Sequence, residues 1–168
     1  EAGCVISFDP NYRASLWTSE ETAKKQMRSM IPYVDLMKIS EEETMLLTGE
    51  SDYKKAAEIL VQSGVKIVAV TLGKQGAFVQ TEHGGQLVKG FRNKAIDATG
   101  AGDAFWGGFL FQFSRCEKAP ENITSKEAAE FADFGNAVAS VCVQKHGAIP
   151  AMPNMTQVIE QLQQERIK

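Results

Sequence analysis

A chain of 168 residues, 43% hydrophobic and 23% charged, carries enough apolar material for one globular core and too little compositional bias for a disordered or fibrous class. A formal net charge of −3, with basic residues scattered among acids, leaves no electrostatic footprint for nucleic acid. The apolar runs stop short of the roughly 20 residues a spanning helix needs, which excludes a membrane role. In chain order, Cys4 to Phe8 is an apolar run that reads as a buried strand ending in the turn Asp9-Pro10-Asn11. Thr18, with Glu21 three residues on, makes a capping box that starts a helix through about Met30. Val34 to Ile39 is the next strand, followed by helices from about Glu41 to Leu47, stopped by Gly49, and from Tyr53 to Gln62, stopped by Gly64. Lys66 to Thr71 is a strand, and Gly76 to Gln80 with Gln86 to Lys89 form a hairpin appended to it.

The most informative segment comes next. A hydrophobic stretch breaks into Asp97-Ala98-Thr99-Gly100-Ala101-Gly102-Asp103 and resumes as an apolar helix running to about Arg115. Glycines let a backbone approach a ligand closely, and the first N–H groups of a helix lack internal partners, so this is anion-binding geometry. A carboxylate beside a phosphate repels it, so Asp103 suits a base that takes a proton from an attacking hydroxyl. The bland alternative is a strand-to-helix turn with an aspartate at the helix start. Neither a Walker-type phosphate loop nor a dinucleotide fingerprint fits the spacing, since Phe105 stands where the latter wants a small residue.

A long helix begins near Thr124, capped with Glu127, and buries Phe131, Phe134, Val138, Val141 and Cys142 at helical spacing; it ends before Gly147 and Pro150. A last helix starts at about Asn154. Strands separated by helices predict an α/β protein with a mainly parallel sheet, whose ligands sit at the carboxyl ends of the strands. Asp9, Ser40, Thr71 and Asp97 each fall just after an expected strand, so four turns converge on one edge. Cys4, Cys116 and Cys142 are odd in number and lack metal spacing, which favours a cytoplasmic setting without structural zinc. The Asn122-Ile123-Thr124 sequon is read as inert, and the first residues show no signal peptide. The start at Glu1 marks the chain as the expected later part of a longer protein, with residues 1–168 as a single α/β domain.

Asp97 to Asp103 resembles the C-terminal signature of the ribokinase-like sugar kinases, the family of fructokinases, 2-keto-3-deoxygluconate kinases and the minor bacterial phosphofructokinases. The resemblance implies a three-layer α/β/α fold, Asp103 as catalytic base, and the N–H groups of Gly100, Ala101 and Gly102 as the anion hole for the transferring γ-phosphoryl group. Ala98 departs from the hydroxyl residue usual there. Val70 to Gly76 looks like the turn bordering ATP, with Thr71 and Gly73 as nucleotide contacts, and Asn136 falls where a late helix passes the adenosine. Read bare, these are a glycine turn and a satisfied buried amide. Ser40 and Glu43 match the family's N-x-x-E segment, with Ser40 in place of asparagine and Glu43 supporting Mg²⁺; the same pair is equally a capping box.

Lys145 to Pro150 resembles the segment that holds an activating monovalent cation. The resemblance implies oxygen ligation of K⁺ by Asp97, Thr99, Cys142, Lys145 and Gly147, with Ala151 departing from a serine often found in tight sites. His146 is expected at the surface. Phe8 to Trp17 looks like a segment of fructokinases and 2-keto-3-deoxygluconate kinases, with Arg13 suited to a phosphate or a sugar-acid carboxylate, or stacked on Tyr12 or Trp17 at the surface. The function implied is ATP- and Mg²⁺-dependent phosphorylation of a sugar hydroxyl, fructose first and 2-keto-3-deoxygluconate second, with a non-catalytic nucleotide- or sugar-sensing relative as the competing class. The family's sugar-binding glycines and lid, which commonly mediates pairing, are expected upstream of this chain; a homodimer is compatible with the resemblance.

Overall fold

A computed structural model describes residues 3–166, so Glu1 lies outside the described residues. Five strands form one sheet in sequence order: β1 (Ser7–Phe8), β2 (Leu36–Ser40), β3 (Ile67–Thr71), β4 (Gly76–Thr81) and β5 (Gly84–Lys89). β1 pairs parallel with β2 and β2 with β3, while β4 is antiparallel to both β3 and β5, so β4 alone runs against the others. α1 (Glu20–Met30), α2 (Glu41–Thr48) and α3 (Tyr53–Gln62) cover one face; α4 (Ala101–Arg115) and α5 (Ser125–Cys142) cover the other, with α6 (Met155–Leu162) packed on α5. This is the three-layer α/β/α arrangement expected.

Side-chain alternation along the strands builds the two cores. Met37, Ile39, Val68, Val70 and Phe78 pack against Met27, Leu47 and Leu60 from α1 to α3. Leu36, Ile67, Ala69, Ala77 and Val79 meet Phe105, Trp106, Phe109 and Phe131 from α4 and α5. Because helices cover both faces, β3 is apolar almost throughout. β2 would be too, except that Lys38 sits within it at 5% exposure.

α4 and α5 approach backbone to backbone through Gly108 and Gly135. A Cβ on Gly135 would meet the Phe105 carbonyl oxygen at 2.7 Å, and one on Gly108 would meet the Gly135 Cα at 3.0 Å. Gly135→Ala is therefore expected to destabilise by about 1–3 kcal/mol through overpacking, despite alanine's better helix propensity. A urea midpoint unchanged from wild type would show that the helices can separate without cost.

Three expectations are corrected. The Cys4–Phe8 run is not a buried strand: only Ser7 and Phe8 pair, and Cys4 to Ser7 are exposed, because β1 is an edge strand with a neighbour on one side. The α1 cap is Ser19 rather than Thr18; its Oγ accepts the Thr22 N–H at 3.1 Å, one residue later than the sequence pattern suggested. Asp97 follows no strand. Residues 92–100 are irregular apart from turns, and they are held instead by Ile96 and Asp97 N–H groups donating to the Val143 carbonyl at 2.7 and 3.2 Å.

Candidate active site

The carboxyl ends of β1, β2 and β3 come together in register, Ser40 beside Thr71, and the turn after β3 returns as β4 on the same edge. Above that edge stands the N-terminus of α4. Gly100 caps it in the left-handed conformation, φ 77°, which a side chain enters only at a cost. A Cβ there would also meet Ala148 Cβ at 2.7 Å, so glycine is required by conformation and by close approach together. The turn it makes lets the Ala101 N–H donate to the Ala98 carbonyl at 3.1 Å. The expected donor at Ala101 is thus occupied, and at the start of α4 the N–H groups of Gly100, Gly102 and Asp103 have no partner among the described residues.

Asp103 is the third residue of α4. Its side chain is exposed and makes no hydrogen bond or ion pair among the described residues, which leaves both oxygens available. A cleft of about 460 Å³ opens beside it, lined by Thr71, Gly73, Ala101, Gly102, Phe105 and Asn136 among others. Four of the residues expected at the anion hole or around ATP therefore share one cavity with Asn136. Gly73 adopts φ 56° and leaves open space around it, whereas Gly76 and Gly90 are forced: a Cβ on Gly76 would meet the Val88 oxygen at 2.1 Å. Asn136 donates one of its two amide N–H groups to the Val88 carbonyl at 3.1 Å, which leaves the second N–H and the side-chain oxygen for a ligand.

The acid-rich start of α2 is more committed than its sequence suggests. Glu43 is 5% exposed, and its two oxygens accept N–H groups from Tyr12 at 2.6 Å and Ser40 at 2.8 Å. It caps α2 and also ties the loop after β1 to it. Ser40 lies at the joint of β2 and α2, outside the cleft lining. In that tied loop Tyr12 and Trp17 turn inward against the first core, while Arg13 is exposed and donates to the Tyr12 carbonyl at 2.8 Å. Stacking of Arg13 on either ring is not observed.

Lys38 escaped the sequence reading. Its Nζ pairs with Asp9 Oδ2 at 2.9 Å, and the other Asp9 oxygen is buried without a partner. Burial raises the Asp9 pKa, with Lys38 opposing the shift and Glu43 and Asp103 adding to it, so these four charges share one corner. The signal was a lysine inside an otherwise apolar strand, Leu36-Met37-Lys38-Ile39.

A second corner joins the loops before α4 and after α5. Asp97 Oδ1 accepts the Thr99 N–H at 2.9 Å and the Thr99 hydroxyl at 2.6 Å, and Oδ2 accepts the Gly147 N–H at 2.9 Å. Cys142 is buried, its thiol pKa raised by desolvation and then by Asp97 and Asp103; its carbonyl accepts the Lys145 N–H at 3.3 Å. Lys145 and His146 are exposed. The Thr99 hydroxyl, ahead of the backbone donors of Gly147 and Thr99, holds Asp97 down to about 2 from 3.8. A folded-state pKa below the unfolded value means the carboxylate's contribution to stability is complete above about pH 4 and disappears as pH falls toward 2. The stability gap between wild type and Asp97→Ala, followed by denaturation across that range, should be constant above pH 4 and close below it.

The model of the pfkB family of carbohydrate kinases matches residues 1–155. The chain belongs to the pfkB carbohydrate kinase family. Maize fructokinase-1 is 37% identical over 164 residues, covering 95% of this chain and 49% of that protein. A double mutant of the Vibrio cholerae O395 fructokinase, crystallised with fructose, ADP and potassium ion, aligns with TM-score 0.86 and 31% identity over 95% of this chain and 50% of that one. Aminoimidazole riboside kinase from Salmonella enterica, solved with its riboside and an ATP analogue, aligns with TM-score 0.84 and 30% identity, covering 96% of this chain and 53% of that one. The pfkB chain described here spans about half the length of the curated relatives it matches, and its fold is the ribokinase-like α/β fold of these kinases.

Proposed function

We propose that this chain is the nucleotide-binding part of an ATP-dependent sugar kinase whose whole protein phosphorylates fructose, acting in the cytoplasm. One observation carries the reading: the start of α4 presents N–H groups of Gly100, Gly102 and Asp103 with no partner among the described residues, Gly102 lies on the wall of a cleft of about 460 Å³, and the unpaired Asp103 carboxylate follows it in the chain. Donors fixed by the fold stabilise charge on a phosphoryl group without reorganising, and a free carboxylate next to them accepts the proton of an attacking hydroxyl. Asp103 is the base; the α4 N-terminus binds the equatorial oxygens; Thr71, Gly73 and Asn136 border the nucleotide. Fructose is favoured over 2-keto-3-deoxygluconate by the fructokinase relatives, which supports Arg13 as a phosphate rather than a carboxylate contact.

Two ions fit residues present. The buried unpartnered oxygen of Asp9, near Glu43 and Asp103, suits a Mg²⁺ held mainly by ATP phosphates, where the ion neutralises developing phosphoryl charge. Asp97 Oδ2 keeps spare accepting capacity, and with the carbonyls of Thr99, Cys142, Lys145 and Gly147 it forms the oxygen donor set for K⁺.

The test is ADP release by the full-length protein with ATP and Mg²⁺, offered fructose or 2-keto-3-deoxygluconate. Turnover with fructose is expected. Turnover with the keto acid alone would keep the kinase chemistry and move Arg13 to carboxylate recognition, and silence with both would favour the sensing relative.

A further inference from the structure

Residues 90–93 form one wall of the cleft, yet they belong to no strand or helix and are held by contacts supplied from elsewhere. The Gly90 N–H donates to the Gln75 carbonyl at 2.9 Å, and the Asn93 amide donates to the Ser140 hydroxyl of α5 at 2.6 Å. A third tether comes from the segment after α6. The Arg92 N–H donates to the Glu165 carbonyl at 3.0 Å, and Phe91 makes an isolated antiparallel bridge with Arg166. Arg166 then covers what it bridges: its guanidinium carbon stands 3.5 Å from the centre of the Phe91 ring, while its Nη2 donates to Asp133 Oδ2 of α5 at 2.9 Å. A planar, permanently charged fork can stack on a ring and pair with a carboxylate at once, which a lysine cannot. Beneath the guanidinium, Phe91 is 3% exposed and packs on Ala137 of α5 and Val158 of α6. Asn136, beside Ala137, and Ser140, one turn on, line the same cleft. An ion pair whose two side chains are each one-third exposed contributes little stability alone, so the arrangement acts chiefly on the placement of the wall it spans.

We propose that Arg166 is a positioning residue for the nucleoside end of the cleft: by clamping Phe91 against α5 through Asp133, it fixes the 90–93 wall at the separation from α5 that the adenosine moiety of ATP requires. This rests on the kinase reading above, in which the start of α4 takes the phosphates and the rest of the cleft borders the nucleoside. Arg166 itself lies outside the cleft lining and acts through Phe91 and Arg92, which are part of it.

The experiment compares Arg166→Met and Arg166→Lys with wild type in the full-length protein. Steady-state kinetics give kcat and the KM values for ATP and fructose, and calorimetry gives dissociation constants for adenosine and for a non-hydrolysable ATP analogue with Mg²⁺. Loss of the stack and the ion pair predicts about fivefold weaker binding of adenosine and analogue alike in Arg166→Met, with a matching rise in KM for ATP. The kcat and the KM for fructose should stay within about twofold of wild type, and Arg166→Lys should recover part of the loss. Weakening of the analogue alone would mean that the guanidinium charge acts on the phosphates directly, and it would overturn the assignment. So would unchanged nucleotide affinity, or a loss shared by kcat and the KM for fructose. Because Arg166→Met leaves the Asp133 carboxylate unpaired and can lower stability, Asp133→Asn removes the ion pair while keeping the stack. It must show the same selective pattern at smaller amplitude, at a temperature where circular dichroism finds each variant folded. A wild-type protein that binds neither adenosine nor the analogue would sink the kinase reading itself, whereas wild-type binding left unaltered in the variants would sink the role of Arg166 alone.

Discussion

Replacement of Asp103 by asparagine is expected to lower kcat by about 10²–10⁴-fold, the usual worth of a positioned general base, and to leave ATP binding intact. The substitution keeps size and shape, and the Asp103 side chain has no protein partner to lose among the described residues. Its charge also acts unfavourably on its surroundings, adding to the raised pKa of Asp9 and of the Cys142 thiol. Removing that charge should therefore leave the affinity for ATP unchanged or slightly tighter. Steady-state kinetics on the full-length protein, with nucleotide affinity measured by titration, separate the two quantities. If binding and turnover fall together, Asp103 holds the α4 N-terminus in shape instead of performing proton transfer.

Gly100→Ala should damage both stability and catalysis. The left-handed backbone at φ 77° costs an alanine about 1–2 kcal/mol, and the contact of the new Cβ with Ala148 at 2.7 Å adds to that. The strain is relieved by shifting the first turn of α4, which moves the Gly102 and Asp103 N–H groups away from their aim. A misplacement of about 1 Å commonly costs about 10²-fold in rate, so a loss of that order in kcat is anticipated. Gly100→Asn separates the causes, since asparagine tolerates the left-handed region better but brings the same Cβ. Recovery of the urea midpoint without recovery of kcat would assign the catalytic loss to the Ala148 contact; full activity in either variant would show that the α4 donors are not positioned by this turn.

Much of the architecture was legible because its signals are local. α3 and the start of α2 match their expected bounds, since Asp52 and Glu43 cap them and Gly49 and Gly64 end them through left-handed turns. The α5 capping box of Thr124 and Glu127 is likewise as read. The errors fall where local rules compete or are silent. Thr18 and Ser19 are both good caps, and only packing of Ala23 and Met27 sets the phase of α1. An apolar run such as Cys4 to Phe8 looks the same at a sheet edge as at its centre.

For the site, the sequence by itself determined the make-up of the α4 turn, two glycines and a carboxylate at the start of a helix, but not that the Ala101 N–H is used within it. The alternation of apolar runs likewise pointed to a mainly parallel α/β sheet, and the motif's resemblance carried the family and the three-layer fold. The tertiary structure decided which of those groups are free. Both Glu43 oxygens are taken by backbone donors 3 and 31 residues away in sequence, and Asp97 Oδ2 accepts one N–H from Gly147, 50 residues on. Lys38 is set beside Asp9 and Gly102 only by the pairing of β1 with β2 and the packing of α4 over the sheet. Such contacts depend on loop closure over tens of residues and on two cores forming at once, and no window along the chain encodes them.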